Sequence, residues 1–137
     1  MPDARASWSM RFTILPLATP GRKIVEARFR DVVLETPGDA DEWGRRVNVE
    51  LGRFGEIIDL LIDLEGLRVR PAASRRFGEV RAKVLATYSR HSARYGPDGW
   101  TATSVNTSRV LHGAEANIHA TRELALAALL ELRASDP

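Results

Sequence analysis

The sequence contains no cysteine, only two lysines and 7% aromatic residues, and each shortage narrows what the chain can be. Without cysteine there is no disulfide framework, no thiolate zinc site and no thiol nucleophile, so we expect a cytoplasmic protein. Arg, Asp or Glu interrupts every apolar stretch within a few residues, and the N-terminus is polar. The pattern therefore predicts neither a membrane-inserted segment nor a secretory signal.

The positive charge of the chain comes almost entirely from arginine, and the formal net charge is only +2. Arginine favours bidentate contacts with carboxylates or phosphates. Nucleic-acid binding typically requires more lysine and exposed aromatic residues between the basic ones. We therefore expect no nucleic-acid partner.

The length of 137 residues, 44% of them hydrophobic, is enough for one hydrophobic core. We predict a disordered leader at 1–9, a single α/β domain at 10–134 and a short tail at 135–137. No internal repeat or low-complexity tract divides the domain.

Hydrophobic periodicity predicts a mixed sheet covered by helices. In the first half, a short connection at 16–21 joins two strands into an antiparallel hairpin, and Asp39 with Glu42 resembles a capping box that starts a helix. The aliphatic segment 57–64 is typical of a strand buried on both faces. The predicted elements of this half are strands at 12–17, 23–34 and 57–64 and a helix at 40–54.

The second half predicts a long helix at 72–95, whose apolar residues recur at helical spacing, and a turn at 96–99. After them come a strand at 100–106, a short helix or turn at 107–113, a strand at 116–120 and a helix at 122–134. The resulting fold class is α/β. It has a single-layer mixed sheet of about five strands, with an initial antiparallel hairpin and mostly parallel strands beyond it, packed against three to four helices.

The segment 100–109 is unusually polar for a strand, because six of its ten residues carry a hydroxyl or an amide. Two interpretations remain open. An exposed edge strand would recruit a second copy of the chain into a homodimer. A pocket lining would turn Thr103, Asn106 and Ser108 toward a ligand.

Three carboxylates, Asp59, Asp63 and Glu65, lie along the predicted central strand and at its C-terminal end, where α/β proteins often bind ligands. They suggest an acid/base pair or a cation site. No glycine-rich phosphate loop, nucleophile elbow or neighbouring histidine accompanies them. We therefore predict no catalytic residue and no enzyme.

Two further patterns invite a functional interpretation. His112, Glu115 and His119 lie close in sequence, but their spacing does not match a single-face helical zinc site, so we expect no metal and no cofactor. Arg76, Lys83, Arg90 and Arg94 would form a basic stripe on the predicted long helix. Such a stripe is either a solvated face or a contact for an acidic surface.

The order of elements, with the strand 57–64 running into Asp63-Leu64-Glu65-Gly66-Leu67, resembles the STAS superfamily, which includes the anti-sigma-factor antagonists. The resemblance covers residues 10–133. In phosphorylatable members a kinase modifies a serine in an Asp-Ser-Ser-Gly-like turn that starts the next helix. The equivalent turn here is 71–74, with Pro71 at the Asp position and Ala73 at the acceptor position, so the usual phosphoswitch is missing. Ser74 is a displaced candidate acceptor.

The resemblance implies a non-enzymatic regulatory or adaptor domain that binds a protein partner. In the superfamily, the partner docks around the first helix and the loop after the central strand. By position, the corresponding residues are Arg68, Arg70, Ser74, Arg75 and Arg76. The alternative is a small-ligand domain of related architecture that binds a lipid or a nucleotide.

Overall fold

The computed structural model describes residues 4–16, 21–114 and 116–136, and the account below is confined to them. In chain order, the elements are strands β1 (Ser9–Ile14), β2 (Ile24–Arg30) and β3 (Val32–Leu34), helix α1 (Pro37–Gly52), strands β4 (Ile58–Asp63) and β5 (Leu67–Val69), helix α2 (Pro71–Tyr88), strand β6 (Ser89–Tyr95), helix α3 (Gly99–His112), strand β7 (Ile118–His119) and helix α4 (Arg122–Ala134).

The main sheet has five strands in the order β1-β2-β4-β6-β7. Strand β1 pairs with β2 antiparallel, and the remaining pairs are parallel. This confirms the predicted α/β class, with its initial hairpin, its mostly parallel sheet and four covering helices. A separate two-stranded ladder, β3 with β5, was not predicted.

Each face of the sheet has its own apolar core, and the two cores differ in size. Helices α1, α2 and α3 pack side by side on one face, above the larger apolar core. Helix α4 lies on the other face against β4, β6 and β7, over a smaller core. Because α4 alone covers its face, the outer surfaces of α3 and α4 point away from opposite sides of the sheet.

Helix α1 begins earlier than its predicted start at residue 40. Thr36 is the N-cap: its hydroxyl accepts a hydrogen bond from the backbone N–H of Asp39, and the Asp39 carboxylate accepts from the N–H of Thr36. The prediction that Asp39 and Glu42 form the capping pair is therefore wrong. The Glu42 carboxylate instead accepts hydrogen bonds from the Arg45 and Arg46 side chains, which lower its pKa to about 2.

The predicted strand at 23–34 is divided in the structure. Asp31 adopts a left-handed backbone with φ of 57°, which breaks the pleat between β2 and β3. Strand β3 consequently leaves the main sheet and pairs with β5. Periodicity alone did not reveal the break, because apolar residues continue on both sides of Asp31.

The predicted helix at 72–95 is too long. Helix α2 ends at Tyr88, and Ser89–Tyr95 forms β6, a strand inside the main sheet. Two of its polar residues are buried: Ser92 and Arg94 are each 1% exposed, and Arg94 donates to the backbone carbonyl of Ala116 and to the Ser92 hydroxyl. Because Arg90 and Arg94 lie on β6, the predicted basic stripe on one helix does not form.

The predicted strand at 100–106 is wrong, because these residues belong to α3. Asp98 caps this helix by accepting from the backbone N–H of Thr101, and Gly113 ends it with φ of 69°. The segment is therefore not a sheet edge. Thr103, Asn106 and Ser108 lie on a helix, with Thr103 and Asn106 exposed and Ser108 buried.

The N-terminal segment packs on α1. Ala4–Ser7 form a short 3₁₀ turn, and Trp8 is 9% exposed, with the Arg46 guanidinium 4.9 Å from its ring centroid. Part of the predicted leader (1–3), most of the predicted hairpin turn (17–20) and the last residue of the predicted tail (137) lie outside the described residues.

Candidate functional site

The structure divides the basic residues predicted to bind a partner into two groups. Arg68 is exposed on β5, and Arg70 at the start of α2 places its Nη1 3.9 Å from an Asp98 oxygen. The Arg75 guanidinium is exposed and makes no hydrogen bond or ion pair with a described residue. These three residues surround the start of α3. Arg76 points away from them, toward α1, where its Nε lies 2.6 Å from Asp41.

Ser74, the candidate phosphoacceptor, lies at the contact between α2 and α3. Its hydroxyl oxygen is 2.7 Å from that of Ser104, which is 3% exposed. Ala73, at the position equivalent to the family's acceptor, is completely buried. The Ser74 hydroxyl is therefore engaged at the helix contact, although the residue is only half-buried.

The inner face of α3 is built mainly from hydroxyl groups. The Thr101 hydroxyl accepts from the backbone N–H of Val69, and the Ser108 hydroxyl accepts from Nη1 of Arg81 at 2.5 Å. Of the four buried residues of the helix, Thr101, Ser104, Val105 and Ser108, only Val105 is apolar. Hydrogen bonds therefore hold much of this helix in place.

The outer face of α3 carries the large apolar residues. Trp100 is 58% exposed, Val110 73% and Leu111 64%. At 100° per residue, they fall on one side of the helix together with Thr103 and Thr107. The helix is thus inverted: it buries three hydroxyl-bearing residues and exposes three of its large apolar ones, with Thr103 and Thr107 between Trp100 and the Val110–Leu111 pair. Large apolar side chains exposed on one side of a helix are a candidate interaction surface. We call Trp100, Thr103, Thr107, Val110 and Leu111 the α3 face.

An exposed arginine of α2 lies next to α3. Arg75 follows Ser74, whose hydroxyl contacts that of Ser104, and the Arg75 guanidinium makes no hydrogen bond or ion pair with a described residue. The hydrogen bond from Arg76 and the nearby charge of Arg75 lower the pKa of Glu79. Burial raises the pKa of Asp98, but its hydrogen bonds with Thr101 and the charges of Arg70 and Arg68 lower it by more. Arg109 is also exposed, but at 100° per residue it lies about 150° around the helix from the middle of the α3 face.

Sequence reasoning missed the α3 face, although the sequence contained a signal for it. Asp98-Gly99 is a strong helix start and Gly113 a strong helix end, and together they enclose 14 residues. Within that length, the hydroxyls of Thr101, Ser104 and Ser108 are spaced by three and four residues, which is a helical period. The hydroxyl content of this segment favours a strand when helical periodicity is judged from the apolar residues alone.

The carboxylates considered for catalysis separate into two places. Asp59 is completely buried at the start of β4, where it accepts from Arg22, Arg133 and the backbone N–H of His91. Asp63 and Glu65 border an open groove at the other end of the strand, and Asp63 accepts from the backbone N–H of Glu65. The described lining of this groove contains no histidine, hydroxyl or thiol, so the groups there that could act as nucleophile, acid or base are the carboxylates of Asp31, Asp63 and Glu65.

The described residues give little support to a metal site or a lipid site. No group of three His, Cys, Asp or Glu side chains in the described ranges is arranged to hold a metal ion, and Glu115 of the predicted triad lies outside them. The apolar cavity between the sheet and α1 and α2 measures about 40 Å³. Ligand pockets typically measure about 300–1,000 Å³, so this cavity is too small for a lipid in this conformation.

None of the helices in the described part of the chain combines the length and the apolarity that a membrane crossing requires.

The comparisons with known proteins identify no relative of this chain. No protein-family model, no curated protein and no solved structure matches the chain.

Proposed function

We propose that this chain is a non-enzymatic protein-binding module, a STAS-like regulatory or adaptor domain whose docking surface is the α3 face. The observation that carries the proposal is the inverted helix. Its buried side is rich in hydroxyls, while Trp100, Val110 and Leu111 are each more than half exposed. Exposing these side chains to water is unfavourable, and a bound partner would remove that cost.

The charges next to the α3 face select the chemistry of the partner. Arg75 carries an exposed guanidinium next to α3 that makes no hydrogen bond or ion pair with a described residue. A partner segment with apolar side chains flanked by Asp or Glu would satisfy both the hydrophobic and the charged parts of the surface. We therefore expect an acidic amphipathic segment.

The resemblance to the STAS superfamily supports the loop side of this location. The superfamily docks partners around the first helix and the loop after the central strand. Arg70 at this loop lies 3.9 Å from Asp98, the N-cap of α3, whereas α1 packs on the other side of α2. Ser74 is engaged with Ser104 and Ala73 is buried. The proposed binding consequently does not depend on a phosphoserine at this turn.

A peptide-display selection tests the proposal. A random library of 16-residue peptides is selected on immobilised wild-type protein, with counter-selection on the Leu111→Asp variant. We expect enriched peptides that carry leucine or phenylalanine at helical spacing together with Asp or Glu. Their affinity falls at least tenfold on Leu111→Asp or Arg75→Glu, and it falls as salt rises because the charges are exposed.

Val49→Asp is the matched control. Val49 is 50% exposed on α1, so the substitution adds the same charge at a similar site away from α3. The control retains binding if the proposal is correct. Enrichment of basic peptides, of peptides that bind Leu111→Asp equally well, or of no peptide at all would overturn the proposed docking surface.

A further inference from the structure

Strand β1 forms one edge of the main sheet, and among the described residues it pairs only with β2. Its ladder with β2 runs without interruption from Ser9 to Ile14, and this segment contains one charged residue, Arg11, and no proline. Charges, prolines and bulges commonly prevent the edge of a sheet from pairing with another strand. The regular edge of β1 is therefore only weakly protected against such pairing.

The hydrogen bonds to β2 establish which backbone groups of β1 point outward. The N–H of Leu15 donates to the carbonyl of Ile24, its opposite residue when the register of the ladder is continued. Hydrogen-bonded and non-hydrogen-bonded pairs alternate in an antiparallel ladder, so the odd-numbered residues of β1 bond to β2. The N–H and C=O groups of Met10, Phe12 and Ile14 consequently point away from β2.

The side chains of the same three residues form an apolar row on the face of the sheet that carries the larger core. Met10 and Phe12 are partly buried against this core, whereas Ile14 is 46% exposed. Arg11 and Thr13 alternate with them on the other face, and both are exposed. The edge thus combines outward-pointing backbone groups with an apolar row that is incompletely covered.

One antiparallel register between β1 and the β1 strand of a second copy pairs all the outward backbone groups. In this register Phe12 lies opposite Phe12 of the second copy, and Met10 lies opposite Ile14, so each of these residues can form a hydrogen-bonded pair. A register that places Met10 opposite Phe12 would leave the groups of Ile14 without a strand partner. The strand is therefore self-complementary about Phe12.

The side chains favour the same register. Met10 and Ile14 of the two copies meet on the core face, where the partner residue would cover the exposed Ile14. On the other face, Arg11 lies opposite Thr13. The register that places Met10 opposite Phe12 would instead put Arg11 directly opposite its own copy, and like charges in such a pair are destabilising.

We propose that two copies of the chain join their β1 strands antiparallel, with Phe12 at the two-fold axis, so that the two main sheets become one continuous sheet. This contact uses the same residues on both copies, and it therefore stops at a dimer. Helix α1 borders β1 at a groove lined by Met10 and Val49, whereas α3 packs on the far side of α2. The α3 face of each copy stays accessible, and the proposal does not depend on the proposed function.

Disulfide formation between single-cysteine variants tests the register, because the chain has no cysteine of its own. Arg11→Cys and Thr13→Cys each place one thiol at an exposed position. In the proposed dimer, residues 11 and 13 of opposite copies form a non-hydrogen-bonded pair with Cα atoms about 4.5 Å apart, and disulfides span about 4.4–6.8 Å. In a buffer of oxidised and reduced glutathione, an equimolar mixture is expected to form the mixed dimer about tenfold faster than either variant alone forms its own dimer. Intact-protein mass spectrometry measures both rates.

Sedimentation velocity at about 0.15 M salt tests the association without cysteines. Wild-type protein is expected to pass from monomer to dimer as its concentration rises, and Ile14→Lys is expected to stay monomeric because a charged side chain enters the apolar row. Val110→Lys is the matched control. It adds the same charge at an exposed position on α3, far from β1, and retains the dimer. Circular dichroism verifies that each variant is folded.

The proposed dimer and the proposed docking function fail separately. Wild-type protein that remains monomeric, Ile14→Lys that still dimerises, or a cysteine mixture that reacts no faster than its components would each overturn the β1 dimer. Fast disulfide formation by Arg11→Cys alone would overturn the register, because it would place Arg11 on the two-fold axis. Selection of acidic peptides through Leu111 would be unaffected by any of these results.

Discussion

Gly66 lies in the turn between β4 and β5, where the chain passes directly against the end of β2. A Cβ atom at this position would lie 1.9 Å from the carbonyl oxygen of Phe29. The obstructing atom belongs to the backbone, so no side-chain rotation removes the clash. The small ladder of β3 with β5 depends on this approach, because the Gly66 carbonyl accepts from the backbone N–H of Val32.

Gly66→Ala is therefore expected to destabilise the protein by about 3 kcal/mol, since the backbone must shift to admit one methyl group. Urea unfolding followed by circular dichroism measures the change. Gly99→Ala is the matched control, because a Cβ at Gly99 meets no atom within 4 Å. If the two variants unfolded at the same urea concentration, the close approach of Gly66 to Phe29 would be contradicted.

At the scale of elements, helix α3 is held differently from its neighbour α2. Helix α2 buries Phe77 and Val84 in the main core, whereas α3 buries one large apolar residue, Val105, and three hydroxyl-bearing ones. A hydrogen bond contributes about 1 kcal/mol net, less than a well-buried large side chain. Helix α3 is consequently the less firmly attached of the two.

Native-state hydrogen exchange is expected to show lower protection for α3 amides than for α2 amides. Val105→Ala removes the single apolar anchor and should speed exchange in α3 further while leaving α2 nearly unchanged. Val110→Ala shortens an exposed side chain of the same type and serves as the control. Equal protection in the two helices would contradict this account.

The difference between elements that bury apolar residues and elements that bury polar ones explains which elements could be predicted from the sequence. Strand β4 and helix α4 were predicted almost to the residue, because their apolar residues follow the period of one structure throughout. Helix α3 and strand β6 were misassigned, because both bury polar groups whose partners lie far along the chain. Ser108 accepts a hydrogen bond from Arg81, and Arg94 donates one to the Ala116 carbonyl. A local pattern carries no information about such partners.

At the scale of the whole molecule, Asp59 joins the segment before β2, strand β6 and helix α4 at one end of the sheet. It accepts from Arg22 before β2, from the backbone of His91 on β6 and from Arg133 on α4. Asp136 extends the network by accepting from Arg22 and His91, and these hydrogen bonds lower its pKa. The end of α4 is thereby fixed to the sheet by ion pairs that involve a completely buried carboxylate.

Asp59→Ala is expected to destabilise the fold by about 3 kcal/mol, because it leaves partly buried arginines without their main partner. Chemical denaturation measures the change in the free energy of unfolding. Asp63→Ala, at the other end of the same strand, removes one hydrogen bond to a local N–H and should cost about 1 kcal/mol. A smaller cost for Asp59 than for Asp63 would contradict the structural role.

Much of the architecture was accessible from the sequence, whereas the candidate site was not. The α/β class, the hairpin and the number of covering helices followed from periodicity and turn residues. The predicted basic residues lie partly at the site, with Arg75 next to α3 and Arg76 turned toward Asp41. The site also depends on which side of α3 is covered, and only the packing of α2 against α3 decides that.

The three tryptophans of the chain occupy contrasting surroundings. Trp8 and Trp43 are 9% and 6% exposed, whereas Trp100 is 58% exposed within the α3 face. An indole in water emits at longer wavelengths than an indole surrounded by protein. The long-wavelength side of the intrinsic fluorescence is therefore expected to originate at Trp100, which makes this residue an intrinsic fluorescent probe of the proposed docking surface.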